Sequence, residues 1–168
     1  DGTVWTSMVS SDPRFGMVAP LVTETTIVTP NGITATITGS RVATLANSLD
    51  PFSLSTQTDT LTVNDRSQTT TYDAATRTFT TTSPEGRQTT EQIDVLGRVI
   101  KTQDAGLQSI DYTYDPRGYL SNIKLGTGVD ERLFTFAYNQ EGFLASITDP
   151  LGQVSSFAYD AVGRITLQ

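Results

Sequence analysis

The chain has 168 residues, a net charge of -7 with a pI near 4.4, and neither cysteine nor histidine. An acidic surface repels phosphate backbones and argues against nucleic-acid binding. The missing thiols exclude disulfides and thiolate metal sites, and no apolar run approaches the ~20 residues that span a membrane. Threonine occurs 30 times and lysine only at Lys101 and Lys124, a composition that favours β-strands over helices. Leu, Ile, Val and Phe make up about a quarter of the chain, enough for a folded protein with a thin core. No signal peptide opens the chain, and Asp1 is not an initiator Met, so a processed product or a fragment is expected.

In chain order, residues 1–53 read as a β-rich capping or docking segment. Trp5 and Phe15 lie among the turn formers Asp12, Pro13 and Gly16, and Trp5 is a candidate exposed contact. The stretch "TTIVTPNGITATITG" has strand-like runs on both sides of Asn31-Gly32, a strong hairpin signal. Asp50-Pro51 marks a break. Residues 54–168 then form a repeat array. Its anchors are Tyr72, Ile93, Tyr114, Tyr138 and Tyr159, spaced by 21, 21, 24 and 21 residues. Asp73, Asp94, Asp115, Asn139 and Asp160 follow the anchors. Gly97, Gly118, Gly142 and Gly163 come four positions on, where the first copy has Thr76. Next stand Arg77, Arg98, Tyr119, Phe143 and Arg164. A second turn lies about two-thirds through each unit ("SPEGR", "QDAGL", "LGTG", "DPLGQ"), and the three extra residues of the third copy fall near it.

Each unit therefore reads as strand, turn, strand, turn. Asp or Asn accepts backbone N–H groups two residues on, and Gly supplies positive φ. Before the turns the pairs Tyr112 and Tyr114, Phe136 and Tyr138, and Phe157 and Tyr159 alternate with period two. Each pair shares one face, expected to be the buried one. The Asp column invites a calcium reading, but the acids are a full repeat apart and no D-x-D-x-D-G loop occurs. Turn formation accounts for them, and the Arg column is expected to pair with them across adjacent hairpins. The Tyr column could stack on sugar, yet its alternation favours core. Trp5, Tyr119 and Phe143 are better placed for exposed contacts. Without histidine, a cysteine nucleophile, a P-loop or a dinucleotide fingerprint, no enzyme and no cofactor is expected.

The iterated "YDAVGR", "YDPRGY", "YNQEGF", "IDVLGR" and "YDAATR" resemble the YD repeat of rearrangement-hotspot (RHS) proteins over about residues 54–168. The resemblance implies an all-β fold of consecutive antiparallel β-hairpin repeats forming a spiral or solenoid-like sheet. Relatives build toxin-complex shells and teneurin-like surface proteins, which are large and exported. Five or so repeats cannot close a large shell, and neither a C-terminal toxin domain nor a self-cleaving aspartate region is recognisable. The expectation is a non-enzymatic shell or scaffold segment, extracellular or at the cell surface. Its partners would be other copies of itself or further YD repeats of a longer chain. Two other readings stand beside it, a filament subunit joined head-to-tail through open sheet ends and a module that binds a glycan or surface receptor.

Overall fold

The structure is a computed structural model that describes residues 2–167. It is nearly all β, 60% strand and 2% helix. Thirteen antiparallel strands follow chain order in a sheet that does not close, and a two-stranded hairpin comes after them. The chain divides into two compact units, Asp1–Gln92 and Ile93–Gln168.

The first unit holds β1 (Val4–Asp12), β2 (Gly16–Val28), β3 (Thr34–Leu45), β4 (Leu54–Val63), β5 (Arg66–Asp73), β6 (Thr78–Thr82) and β7 (Gln88–Ile93), whose last residue opens the second unit. Register explains the threonines. Directly opposed residues share a face, so Val42, Thr58, Thr71, Thr80 and Thr90 form one row, and Ser40, Thr60, Thr69, Thr82 and Gln88 the next. Hydroxyls on this face pair across strands, Thr58 with Thr71 at 3.1 Å and Thr62 with Ser67 at 2.7 Å. A β-branched methyl and a hydroxyl suit a pleated surface that stays wet. The opposite face carries Arg41, Asp59, Leu61, Tyr72 and Phe79.

At its C-terminal part, Glu24–Val28, β2 pairs with β3, while Gly16–Val22 pairs with β1 alone. The strands part at Gly39, where a Cβ would lie 2.8 Å from the Val22 carbonyl oxygen. Beyond that point the β1–β2 turn meets the β3–β4 loop. The Arg14 Nε donates to the Pro51 carbonyl at 3.0 Å, and the Phe15 and Phe52 rings meet edge-on at 5.8 Å. Trp5 lies within β1, the first strand in the order, rather than among turn formers, and is 66% exposed.

The second unit contains β8 (Val99–Asp104), β9 (Ile110–Tyr114), β10 (Leu120–Leu125), a 3₁₀ turn at Gly128–Asp130, β11 (Arg132–Tyr138), β12 (Leu144–Thr148), β13 (Val154–Ser156), β14 (Ala158–Tyr159) and β15 (Ile165–Leu167). The 3₁₀ turn takes up the three-residue insertion of the third repeat. Ile93, the anchor with neither ring nor hydroxyl, begins this unit.

The thin core expected from composition is thinner still, since no hydrophobic side chain is buried among the described residues. The expectation of buried anchor tyrosines is corrected accordingly. Tyr72, Tyr114, Tyr138 and Tyr159 are each half-buried. The physical reason is that a sheet keeps water on any face that no second layer covers. Alternation survives at reduced amplitude. Phe134, Phe136 and Tyr138 are half-buried, while Leu133, Thr135 and Ala137 between them are exposed.

Candidate functional site

Seven turns share one hydrogen-bond scheme. They begin at Thr29, Ser83, Asp94, Asp115, Asn139, Asp149 and Asp160. In each, the N–H of the glycine three residues on donates to the first residue's carbonyl, and the first residue's N–H donates to the carbonyl four residues on. That glycine has φ between +78° and +92° throughout, so the turn needs a residue free of the Cβ penalty. One side-chain oxygen then serves two donors. Asp94 Oδ1 accepts from the Leu96 and Arg98 N–H groups at 2.8 and 3.0 Å, Asp115 Oδ1 from Arg117 and Tyr119 at 2.9 Å each, and Asp160 Oδ1 from Val162 and Arg164 at 3.0 and 2.9 Å. Asp149 in "DPLGQ" does the same, so the YD turn and the second turn are chemically alike. Asn31-Gly32 is the second half of such a turn, not a two-residue loop. In the first copy Asp73 Oδ1 accepts from Ala75 and Thr76, and Arg77 takes the positive φ of 53° that glycine supplies elsewhere.

The second oxygen of these acids corrects the expected arginine ladder. Arg98 donates through Nε to Asp94 Oδ2 at 2.8 Å and Arg164 to Asp160 Oδ2 at 2.7 Å, so each pair closes its own turn rather than bridging adjacent hairpins. The turn brings positions i and i+4 together before any neighbour is in reach. Arg77 makes no ion pair among the described residues. The link between hairpins runs instead through Arg117, whose Nη1 donates to the Asn139 carbonyl at 2.9 Å.

A second link recurs three times and involves the anchor tyrosines. The Tyr114 hydroxyl donates to the Val99 carbonyl at 2.8 Å, Tyr138 to Leu120 at 3.0 Å and Tyr159 to Leu144 at 2.8 Å. Each acceptor stands two residues after the glycine of the preceding repeat. The residue between glycine and acceptor covers the tyrosine ring. The Arg98 guanidinium lies 4.3 Å from the Tyr114 ring centre, Tyr119 stacks on Tyr138 at 4.9 Å, and Phe143 on Tyr159 at 4.9 Å. The same covering residue reaches the next glycine. A Cβ on Gly163 would stand 3.0 Å from Phe143 Cζ, one on Gly142 would run into the Tyr119 hydroxyl, and one on Gly118 would lie 3.6 Å from Arg98 Nη1. Glycine thus serves its own turn and makes room for its neighbour's side chain. Tyr119 and Phe143, read from sequence as exposed contacts, are 38% and 40% exposed with one ring face used in this way. Tyr72 differs, because its ring meets Phe79 of its own hairpin at 4.6 Å.

Sequence reading also missed a polar cluster in the first unit. Arg41 donates to Asp59 through Nε and Nη2 at 2.6 and 2.9 Å, and through Nη1 to Asp12 at 3.1 Å. Asp12, 4% exposed, is the buried polar residue among those described. Beside this cluster lies a shallow cleft of about 350 Å³ lined by Leu21, Val22, Leu61 and Gln68. Its charged groups satisfy one another, which leaves little for a ligand. Among the described residues no group of three or more potential ligands could hold a metal ion.

Asp94, Asp115 and Asp160 have lowered pKa values. For Asp94 and Asp160 the leading cause is the N–H donated by Arg98 and Arg164 respectively. For Asp115, desolvation pushes upward but is outweighed by the Tyr119 and Arg117 donors. Because the folded values lie below the unfolded 3.8, the stabilisation is complete above that pH and is lost as pH falls through the folded values. Thermal melts should give a flat midpoint from pH 7 to about 5 and a decline below about 4. Asp94→Asn, Asp115→Asn and Asp160→Asn combined keep the Oδ1 acceptors and should flatten the decline. An equal decline in the triple variant would place the acid sensitivity elsewhere.

A family model described as RHS Repeat matches residues 138–168. No curated protein matches the chain. Among solved structures, the crystal structure of TcdB2-TccC3-Cdc42 is similar at 14% identity and TM-score 0.45 over 98% of this chain and 10% of that one. A Photorhabdus luminescens Tc holotoxin pore with a TccC3 mutation matches at 14% identity and TM-score 0.44, again over 98% and 10%. The chain thus spans about a tenth of the length of these solved chains.

Proposed function

We propose that this chain, which carries the RHS repeat at residues 138–168, is a non-enzymatic wall segment of a secreted or cell-surface protein. The observation that carries the reading is the recurrent interlock, in which each candidate residue of the motif is engaged by its own turn or by the neighbouring hairpin. A wall must transmit load from hairpin to hairpin without a deep core. A covering ring or guanidinium, at roughly 0.5–1.5 kcal/mol, and a hydroxyl-to-carbonyl bond, at about 1 kcal/mol, supply a nearest-neighbour coupling at the three repeats anchored by Tyr114, Tyr138 and Tyr159. In this reading residues 1–53 cap or dock the array of residues 54–168, and the array's partners are further YD repeats. No helix among the described residues is long and apolar enough to cross a membrane.

Hydrogen exchange tests the coupling. Tyr138→Ala should accelerate amide exchange in β9–β10 as well as in β11–β12. Acceleration confined to the hairpin that contains Tyr138 would sink the wall reading.

The filament reading keeps one specific support. β1 presents an uncharged run, Val4 to Ser11, with Trp5, Met8 and Val9 all more than half exposed. Such edges pair readily. Negative-stain microscopy of concentrated protein should show filaments if that edge recruits copies, and single particles if it does not. The glycan reading rests on Trp5 and is tested by the same protein with Trp5→Ala on a glycan array.

A further inference from the structure

We propose that the threonine face of β4, β5 and β6 binds ice. The inference goes beyond the wall reading and concerns a face of the first unit that the reading leaves without a task.

Threonine takes every second position of β4 from Thr56 to Thr62 and of β6 from Thr78 to Thr82. Period two puts each set on one face. Register converts these files into a lattice. Thr58 opposes Thr71, which opposes Thr80, and Thr60 opposes Thr69, which opposes Thr82. The ladders from β4 to β7 carry no bulge, whereas β1–β2, β9–β10 and β11–β12 are each interrupted. The cells therefore repeat at about 4.8 Å across the strands and about 6.7 Å along them. Each cell holds one methyl and one hydroxyl on a side chain that is stiff at χ1, so little freedom remains to be lost on contact.

The face itself selects the occupant. Its two central rows carry no charged residue from β3 to β7, in a chain of net charge -7, so an ionic ligand finds nothing to pair with. The rings of Tyr72 and Phe79 lie on the opposite face. The β1–β2 turn docks on that opposite face too, through Asp12 to Arg41 and Arg14 to Gln57. A sugar therefore has no aromatic platform on the threonine side. The hydroxyls of Thr60, Thr69 and Thr80 bond no protein group among the described residues, which leaves water as their partner. Loose water gains nothing from periodicity, because each contact is weak and exchanges with bulk. A solid that repeats in two dimensions gains from every cell at once, since contacts after the first cost no further translational freedom. Ice is a neutral solid of this kind. Its surface oxygens donate and accept as threonine hydroxyls do, and water caged around the methyls continues the same lattice.

Ice uptake by the 168-residue chain tests the proposal. The parent protein should enter a slowly growing ice front that excludes a non-binding soluble protein, and it should arrest the coarsening of ice grains in frozen sucrose. Thr69→Lys with Thr80→Lys sets two long charged chains into the lattice and should return the protein to the liquid. Thr89→Lys, at an exposed position on the opposite face of β7, should leave uptake unchanged. Where the lysine pair lowers the melting temperature, Thr69→Val with Thr80→Val decides instead. It keeps the branched shape and drops only hydroxyls that no described protein group uses, so uptake should fall while the melt stays put. Uptake equal to the parent's in the deciding variant would overturn the proposal. Exclusion of the parent from ice would also overturn it, and retention on crystalline cellulose in that case would assign the face to a polysaccharide. The Tyr138→Ala exchange experiment does not touch this face, so either reading can fail while the other stands.

Discussion

Gly142→Ala should be the most damaging of the turn-glycine substitutions, lowering unfolding free energy by about 3 kcal/mol in urea or thermal melts. Two causes add. At φ of 88° any Cβ is strained, at about 1–2 kcal/mol. The new methyl would also collide with the Tyr119 hydroxyl and crowd Cζ at 3.0 Å. Tyr119 is a rigid ring stacked on Tyr138, so it can retreat only by giving up that stack, which is worth roughly 0.5–1.5 kcal/mol, and disturbing the Tyr138 hydroxyl bond to Leu120. Gly152→Ala is the internal control. Its φ is 79° but nothing lies within 4 Å of the added Cβ, so it should show the strain alone. Gly163→Ala, with Phe143 Cζ at 3.0 Å, should fall between them, and Gly118→Ala, with a flexible arginine at 3.6 Å, close to the control. In a Tyr119→Ala background the cost of Gly142→Ala should shrink to that of Gly152→Ala, because the pair couples only through contact. Equal costs for Gly142→Ala and Gly152→Ala in the parent chain would remove the interlock as a source of stability.

The turn chemistry behind that prediction is legible in the sequence because it is local. Asp, two variable residues and Gly lie within one turn, and their spacing is the spacing of the hydrogen bonds. The interlock is not local, and its covering column reads Arg98, Tyr119 and Phe143, which looks like surface variation when sorted by charge. What the three share is a flat π face, and planarity is the signal that would have exposed the column. The Asp-Arg pairs were legible as chemistry but misplaced in space, since a four-residue turn satisfies them before a neighbour is in reach. The half-buried tyrosines have another origin. Period two reveals which residues share a face, and composition cannot say whether a second layer covers that face. Least legible is the Arg41 cluster. Its partners lie 29 and 18 residues away with no motif between them, and only the parting of β2 from β3 at Gly39 brings Asp12 within reach.

That cluster carries the second large expected effect. Arg41→Ala should destabilise the first unit by roughly 2 kcal/mol, below the 3–5 kcal/mol seen for breaking fully buried pairs, because the Arg41 and Asp59 side chains are 29% and 39% exposed. The loss falls mainly on Asp12. Burial works against its charge, and it is held ionised by the Arg14 and Phe15 N–H groups, at 2.7 and 3.0 Å, together with Arg41. Arg41 in turn is held protonated chiefly by its bond to Asp59. Removing the guanidinium leaves a carboxylate at 4% exposure without its cation. Arg41→Lys should recover only part, since one ammonium cannot reproduce a fork spanning Asp59 and Asp12. Adding Asp12→Asn to Arg41→Ala should recover more, because the buried charge is gone while Oδ1 still caps the Arg14 and Phe15 amides. The pH dependence supplies the decisive sign. The folded pKa of Asp12 lies below 3.8, so its charge and the penalty for losing Arg41 persist at neutral pH. Both fade as pH falls through that folded value. Melting curves of the parent and of Arg41→Ala should therefore converge as the pH falls below 3.8, and a gap that stays constant on acidification would mean that Arg41 stabilises the β1–β2 ribbon by packing rather than by charge.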